Sequence, residues 1–188
     1  MNVDDLIEIT RANGEAWAYP HVQRVLALSQ QISSGLNYNQ TAFTIAAWLH
    51  DWGAFPCYRQ PGVEHALRSA QVAQAEILPV MNLAGPTVQI ILEAIARHDL
   101  RDPRPVDSPE ALLLREADFL DFLGPLGLAR ELAWGPNDLP LLLARVRGRI
   151  TAVRGRFTLP AAQAIAAGRI QRMQALLAEI EQDSLGWL

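Results

Sequence analysis

Residues 46–53 read AAWLHDWG, an apolar helical run that finishes on an imidazole and a carboxylate and breaks at Gly53. A buried ionisable group is costly unless it is paired or coordinated, so His50 and Asp51 require partners from elsewhere in the chain. Adjacent residues on an ideal helix point about 100° apart. The two can share one site if the helix frays there, and Gly53 makes such irregularity easy.

Outward from this segment, apolar residues recur at helical spacing almost throughout, and no run of alternating β-branched residues reads as a strand. The pattern predicts an all-α fold. A short helix is expected near residues 3–12, and a second from Pro20, which suits a first turn, to Ser34-Gly35. Asn39 is placed to cap a third helix ending at Trp52-Gly53, and further helices are expected over 63–80 and 86–98. The proline-rich RDPRPVDSPE, 101–110, is a loop with Ser108 as N-cap and Pro109 at the first helical position of a helix that runs to Gly124. After shorter segments, two longer helices are expected over 138–154 and 160–183. A length of 188 residues fits one compact domain, 1–188, with the C-terminal helices 138–183 packed on the rest.

Composition narrows the function. The net charge of −4 argues against wholesale nucleic-acid binding. No apolar stretch is long enough and free enough of charge to span a bilayer. Asp4, Asp5 and Glu8 stand where a signal peptide needs a basic start, and with Cys57 as the single cysteine a cytoplasmic location is expected. All 16 basic residues are arginines. Lysine Schiff-base, lysine general-base and P-loop lysine mechanisms are thereby excluded, and anion recognition falls to arginine, backbone amides or metal.

The four histidines each lie inside or at the end of an expected helix. His21 shares a face with Val25, Leu28 and Ile32; His98 follows Ile91, Ala94 and Ile95; His65 opens a face through Ser69 and Val72. Asp118 lies one turn after Leu114 and one before Phe122, which turns its carboxylate inward. Singly, each has an ordinary explanation as a hydrogen-bonded core residue, a helix C-terminal pair, or a partner of Arg115. Together they are several buried ionisable groups that need mutual neutralisation. A divalent ion supplies it, and imidazole and carboxylate are ordinary ligands of zinc, manganese and iron.

The ordered set His21, His50-Asp51, His65, His98 and Asp118 resembles that of the HD-domain superfamily of metal-dependent phosphohydrolases over roughly residues 20–134. HVQRVLALSQQI is similar to the superfamily's first histidine helix and AAWLHDWG to its usual AALLHDIG. HALRSAQVAQAEI and ILEAIARHD are similar to the segments that add two histidines in binuclear members, and EALLLREADFLDFLGPLGLAREL resembles the segment with the last aspartate. The resemblance implies a first metal on His21, His50, Asp51 and Asp118, with Asp51 bridging to a second on His65 and His98. Many members have a lysine after the His-Asp pair and a basic residue after the last aspartate; here stand Trp52-Gly53-Ala54-Phe55 and Phe119. Arg68, Arg97 and Arg115 are the arginines placed to contact phosphate instead.

The expected activity is metal-dependent hydrolysis of a phosphate ester or anhydride of a nucleotide or related small metabolite, with one or two divalent transition-metal ions and with Asp51 as ligand and orienter of the attacking water. Two other readings compete. One is a di-iron oxygenase of the same superfamily, suited by the absent lysine and the apolar Trp52 and Phe55. The other is a metal-stabilised module without turnover that binds a nucleotide, nucleic acid or acidic partner through the arginines of ARVRGRITAVRGRF, 144–157. A solvated helix face explains that run more simply, since no aromatic platform is interleaved with it. Trp17, Trp48, Trp134 and Trp187 are expected in the core or at an interface, and Cys57 as a loop thiol.

Overall fold

The computed structural model describes residues 1–99, 101–135 and 137–187. Among the described residues the regular structure is entirely helical: α1 Val3–Asn13, α2 Glu15–Ile32, α3 Gln40–Leu49, α4 His65–Val72, α5 Gly85–Arg97, α6 Pro109–Asp121, α7 Gly124–Trp134, α8 Leu139–Val153 and α9 Pro160–Asp183. None of these helices is long and apolar enough to cross a membrane. Backbone contacts divide the chain into two compact units, 1–118 and 119–188, and the boundary falls within α6.

In the first unit α3 is the central element, and it packs against α1, α2 and α5. Its sequence explains that position. Ala42, Phe43, Ile45, Ala46, Ala47, Trp48 and Leu49 are all buried, so the helix is apolar on nearly every side, as a helix surrounded by others must be. Asn39 caps it by accepting from the Ala42 amide at 3.0 Å. Helix α4 lies against α5 and against a short 3₁₀ turn, Trp52–Ala54, that follows α3. The buried Trp52 donates its indole N–H to Thr10 Oγ1 of α1 at 3.0 Å, so the turn is fastened on that side as well.

The second unit holds α7, α8 and α9, with α7 packed against both of the others. Its buried Asp121 is paired with Arg130, whose guanidinium lies 4.4 Å over the Phe122 ring. Arg149 and Arg145 pair with Glu131, and Arg147 with Glu181. Of these, Arg145 and Arg147 keep about half of their side-chain exposure, as a solvated face predicts, whereas Arg149 is largely buried.

Several boundaries differ from the sequence expectation. Helix α2 starts at Glu15, not Pro20, and is separated from α1 only by Gly14. Pro20 is its sixth residue, where the missing N–H costs a single bond, the one that would be donated to the exposed Ala16 carbonyl. Helix α3 ends at Leu49, which leaves His50 and Asp51 between it and the 3₁₀ turn. The helix expected over 63–80 begins at His65 and stops at Val72, continuing as a π-helical turn, Ala73–Ile77, and a 3₁₀ turn, Leu78–Val80. Pro79 accounts for that ending, because it cannot donate to the Ala75 carbonyl and its ring crowds the same group. Trp134 and Trp187 are exposed, whereas Trp48 and Trp52 are core.

Candidate metal centre

Six side chains from five places in the first unit converge. His21 comes from the middle of α2; His50 and Asp51 follow α3; His65 opens α4; His98 follows α5; Asp118 lies within α6. His21, His50 and His98 are completely or almost completely buried, while His65 retains 28 % of its side-chain exposure and faces the open side.

Asp51 is the hinge of the arrangement. Its Oδ2 lies 3.4 Å from His21 Nε2 and 3.3 Å from His50 Nε2. Its Oδ1 lies 3.6 Å from His65 Nε2 and 3.7 Å from His98 Nε2. Asp118 Oδ1 completes the first group, 3.2 Å from His21 Nε2 and 3.7 Å from His50 Nε2. The imidazoles also meet in pairs, His21 with His50 at 3.2 Å and His65 with His98 at 3.1 Å, Nε2 to Nε2. The donor atoms of His21, His50 and Asp51 form one compact group, and those of Asp51, His65 and His98 another, each within 4.8 Å.

This donor set suits cations. His50 Nδ1 faces the Ala47 carbonyl and His98 Nδ1 the Ile95 carbonyl, each at 2.7 Å. A carbonyl only accepts, so both Nδ1 atoms carry a proton, which leaves Nε2 as the nitrogen each ring can offer to a cation at the centre. Asp118 Oδ1 is buried there without a hydrogen-bond donor among the described residues. Lone pairs and carboxylate oxygens gathered this closely repel one another unless positive charge lies between them. Neighbouring ligands of an ion bound at about 2.1 Å stand about 3.0 Å apart in octahedral geometry, near the separations found.

The electrostatics state the same demand. Burial alone lowers the basicity of His50, but Asp51 and Asp118 outweigh it and raise its pKa to about 9. Burial works to raise both carboxyl groups, yet the imidazoles of His50 and His21 hold Asp51 and Asp118 below the usual carboxylate range. His98 is pushed down by burial and by the neighbouring His50.

The arginines expected to contact phosphate have different surroundings. Arg68 donates through Nε to the Tyr58 carbonyl at 2.7 Å and through Nη1 to Gln71 at 3.4 Å. The buried Arg115 donates through Nε to the Arg97 carbonyl at 2.7 Å and reaches the Arg104 carbonyl at 3.4 Å. Arg97 has a buried Nη1 without a hydrogen-bond acceptor among the described residues and an Asp102 carboxylate at 3.8 Å. Sequence reading passed over Glu64 and Asp99, which form a third acidic group with His65. Their only sequence signal is adjacency, one before His65 and the other after His98. Cys57 is exposed in the loop beyond the 3₁₀ turn.

No family model matches the sequence, and no curated protein does. Solved structures do match the fold along almost the whole chain. A predicted HD-superfamily hydrolase from an uncultured Thermotogales bacterium superposes with a TM-score of 0.64 at 23 % identity, covering 98 % of this chain and 92 % of the other. Bacillus subtilis YpgQ superposes with a TM-score of 0.73 at 18 % identity, covering 96 % and 94 %. The complex of YpgQ with ADP gives 0.71 at 18 % identity, with 97 % of each chain covered. With the helices in this order and four histidines and two aspartates converging between them, the chain has the fold of the HD-superfamily hydrolases.

Proposed function

We propose that the protein is a metal-dependent phosphohydrolase acting on a phosphate ester or anhydride of a nucleotide or related small metabolite. The observation that carries this reading is Asp51, whose two oxygens face two separate imidazole pairs. His21, His50, Asp51 and Asp118 would hold a first divalent ion, and Asp51, His65 and His98 a second. Ions bound there supply an acidified water and neutralise phosphoryl oxygens. Manganese, iron and zinc all accept this nitrogen and oxygen donor set.

The chain's own groups then divide the work. Asp51, held ionised by His50 and His21 against the effect of burial, orients the attacking water by accepting its hydrogen bond. Arg97 is the arginine with hydrogen-bonding capacity to spare beside His98, and it contacts the substrate phosphate. Arg68 and Arg115 support it by fixing the loops at Tyr58 and at Arg97 through Arg104. A nucleotide is favoured because YpgQ, which shares the fold, binds ADP in its crystal structure. The single cysteine agrees with a cytoplasmic setting.

The test uses chelated protein reloaded with manganese, iron(II) or zinc and assayed for phosphate release from nucleoside mono-, di- and triphosphates and simple phosphomonoesters. Release is expected with at least one ion and is expected to fall to background on chelation and in Asp51→Ala. Equal release in all three states overturns the reading. Oxygen uptake by the iron-loaded protein without phosphate release transfers it to the oxygenase class.

A further inference from the structure

The histidines at the centre do not all find an acceptor for Nδ1 in the same way. His50 directly follows α3 and His98 directly follows α5, where main-chain carbonyls are left without helical N–H partners. Each ring uses the carbonyl three residues back. His65 is instead the first residue of α4, at the end of a helix that offers N–H donors and no spare carbonyl. Its Nδ1 meets Oε1 of Glu64, the N-cap residue. The other oxygen of that carboxylate, Oε2, accepts from the amides of Ala66 at 2.9 Å and Leu67 at 3.3 Å. Asp, Asn, Ser and Thr are the preferred N-caps. The longer glutamate lets one carboxylate serve both the helix end and the ring. Asp99, the other acid of this group, is already held by Arg101 through Nε and Nη2.

We propose that Glu64 is the positioning residue of the second ion site: it takes the Nδ1–H of His65 and thereby aims the Nε2 lone pair at the space shared with Asp51 Oδ1 and His98 Nε2. This rests on the two-ion reading above. A carboxylate behind an imidazole fixes its tautomer and makes it a stronger donor than a carbonyl does, and loss of such a partner typically costs about 10–100-fold in metal affinity. Since Glu64 reaches the first group only through His65 among the described residues, its effect falls on the second ion alone.

The competing role for Glu64 is helix capping only, and two substitutions separate the roles. Glu64→Ser keeps an N-cap oxygen but is too short to reach the ring. Glu64→Gln keeps an oxygen of the same reach without the charge. Manganese(II) is titrated into chelated protein by calorimetry, with total metal content measured in parallel, and the coupled-pair electron paramagnetic resonance signal is followed. Wild type is expected to take two ions. Glu64→Ser should bind the first unchanged, bind the second about 10–100-fold more weakly, replace the coupled signal by that of isolated manganese, and melt like wild type when metal-free. Glu64→Gln should recover part of the second-ion affinity. Two tight ions in Glu64→Ser overturn the proposal and leave Glu64 a cap. Loss of both ions, or a drop in the metal-free melting temperature, overturns it as well, since the residue then serves the whole unit. A wild type that takes fewer than two ions removes the two-ion reading itself and the proposal with it.

Discussion

A methyl group on residue 53 would stand 2.3 Å from the His65 carbonyl oxygen and 2.6 Å from the Ser69 amide nitrogen. Both are backbone atoms of α4, so neither can step aside without moving the helix that opens with His65. The glycine is therefore needed for close approach. Read from sequence, Gly53 offered conformational freedom to a fraying helix end; its φ is not in the left-handed region, and the true constraint comes from the helix that opens at His65. Gly53→Ala is expected to cost about 1–3 kcal/mol and to weaken the second ion by displacing His65. Thermal melting of the chelated protein and metal titration report the two effects separately. Its neighbour makes the companion case. The Gly53 amide donates to Ser69 Oγ at 2.8 Å in a buried place, and Ser69→Ala strands that donor at about 1–3 kcal/mol. An unchanged melting temperature in Ser69→Ala would show that another acceptor replaces the hydroxyl.

At the scale of elements, Arg115 and Arg97 carry opposite predictions although sequence grouped them together. Arg115 on α6 is buried and bonds to the carbonyl of Arg97 at the end of α5, so it ties two helices that deliver Asp118 and His98. Arg115→Met, which keeps the bulk and removes the donors, is expected to lower stability by about 1–3 kcal/mol and to loosen both ligands. Arg97→Met is expected to leave the melting temperature nearly unchanged and to raise KM for a phosphorylated substrate. Equal thermal shifts in the two variants would remove this division. The helices themselves were legible because apolar spacing and caps are local: Asn39, Ser108 and Pro109 mark their starts in the sequence as in the structure. The six convergent side chains were legible because ionisable residues on apolar faces are conspicuous. What an arginine bonds to was not, since the carbonyls that hold Arg68 and Arg115 belong to loops and a helix end whose paths no periodicity describes. Glu64 escaped for a related reason, as a glutamate at a helix start is unremarkable until the ring beside it is seen to lack a carbonyl.

At the scale of the whole molecule, all six candidate ligands belong to residues 1–118, while α7, α8 and α9 contribute none. That unit gathers two carboxylates and four imidazoles in its interior, and His50, His65 and His98 come from helix ends where local acceptors fix their rings. A cation bound by such a cluster would be a stabilising cross-link, because an ion that binds only the folded unit adds RT ln(1 + [L]/Kd) to its stability. At 100 times Kd this is about 2.7 kcal/mol, which for a chain of this size corresponds to roughly 5–10 °C in melting temperature. The gain is expected to be uneven along the chain. On adding manganese(II) to chelated protein, amide hydrogen exchange should slow in α2, α3, α4, α5 and the first turns of α6, and least in α8 and α9. Ions held by these side chains would connect α2 to α6 through His21 and Asp118, and α4 to α5 through His65 and His98, so those helices should gain protection together. Protection spread evenly over residues 1–187, or absent around His21 and Asp118, would mean that these side chains do not hold the ion.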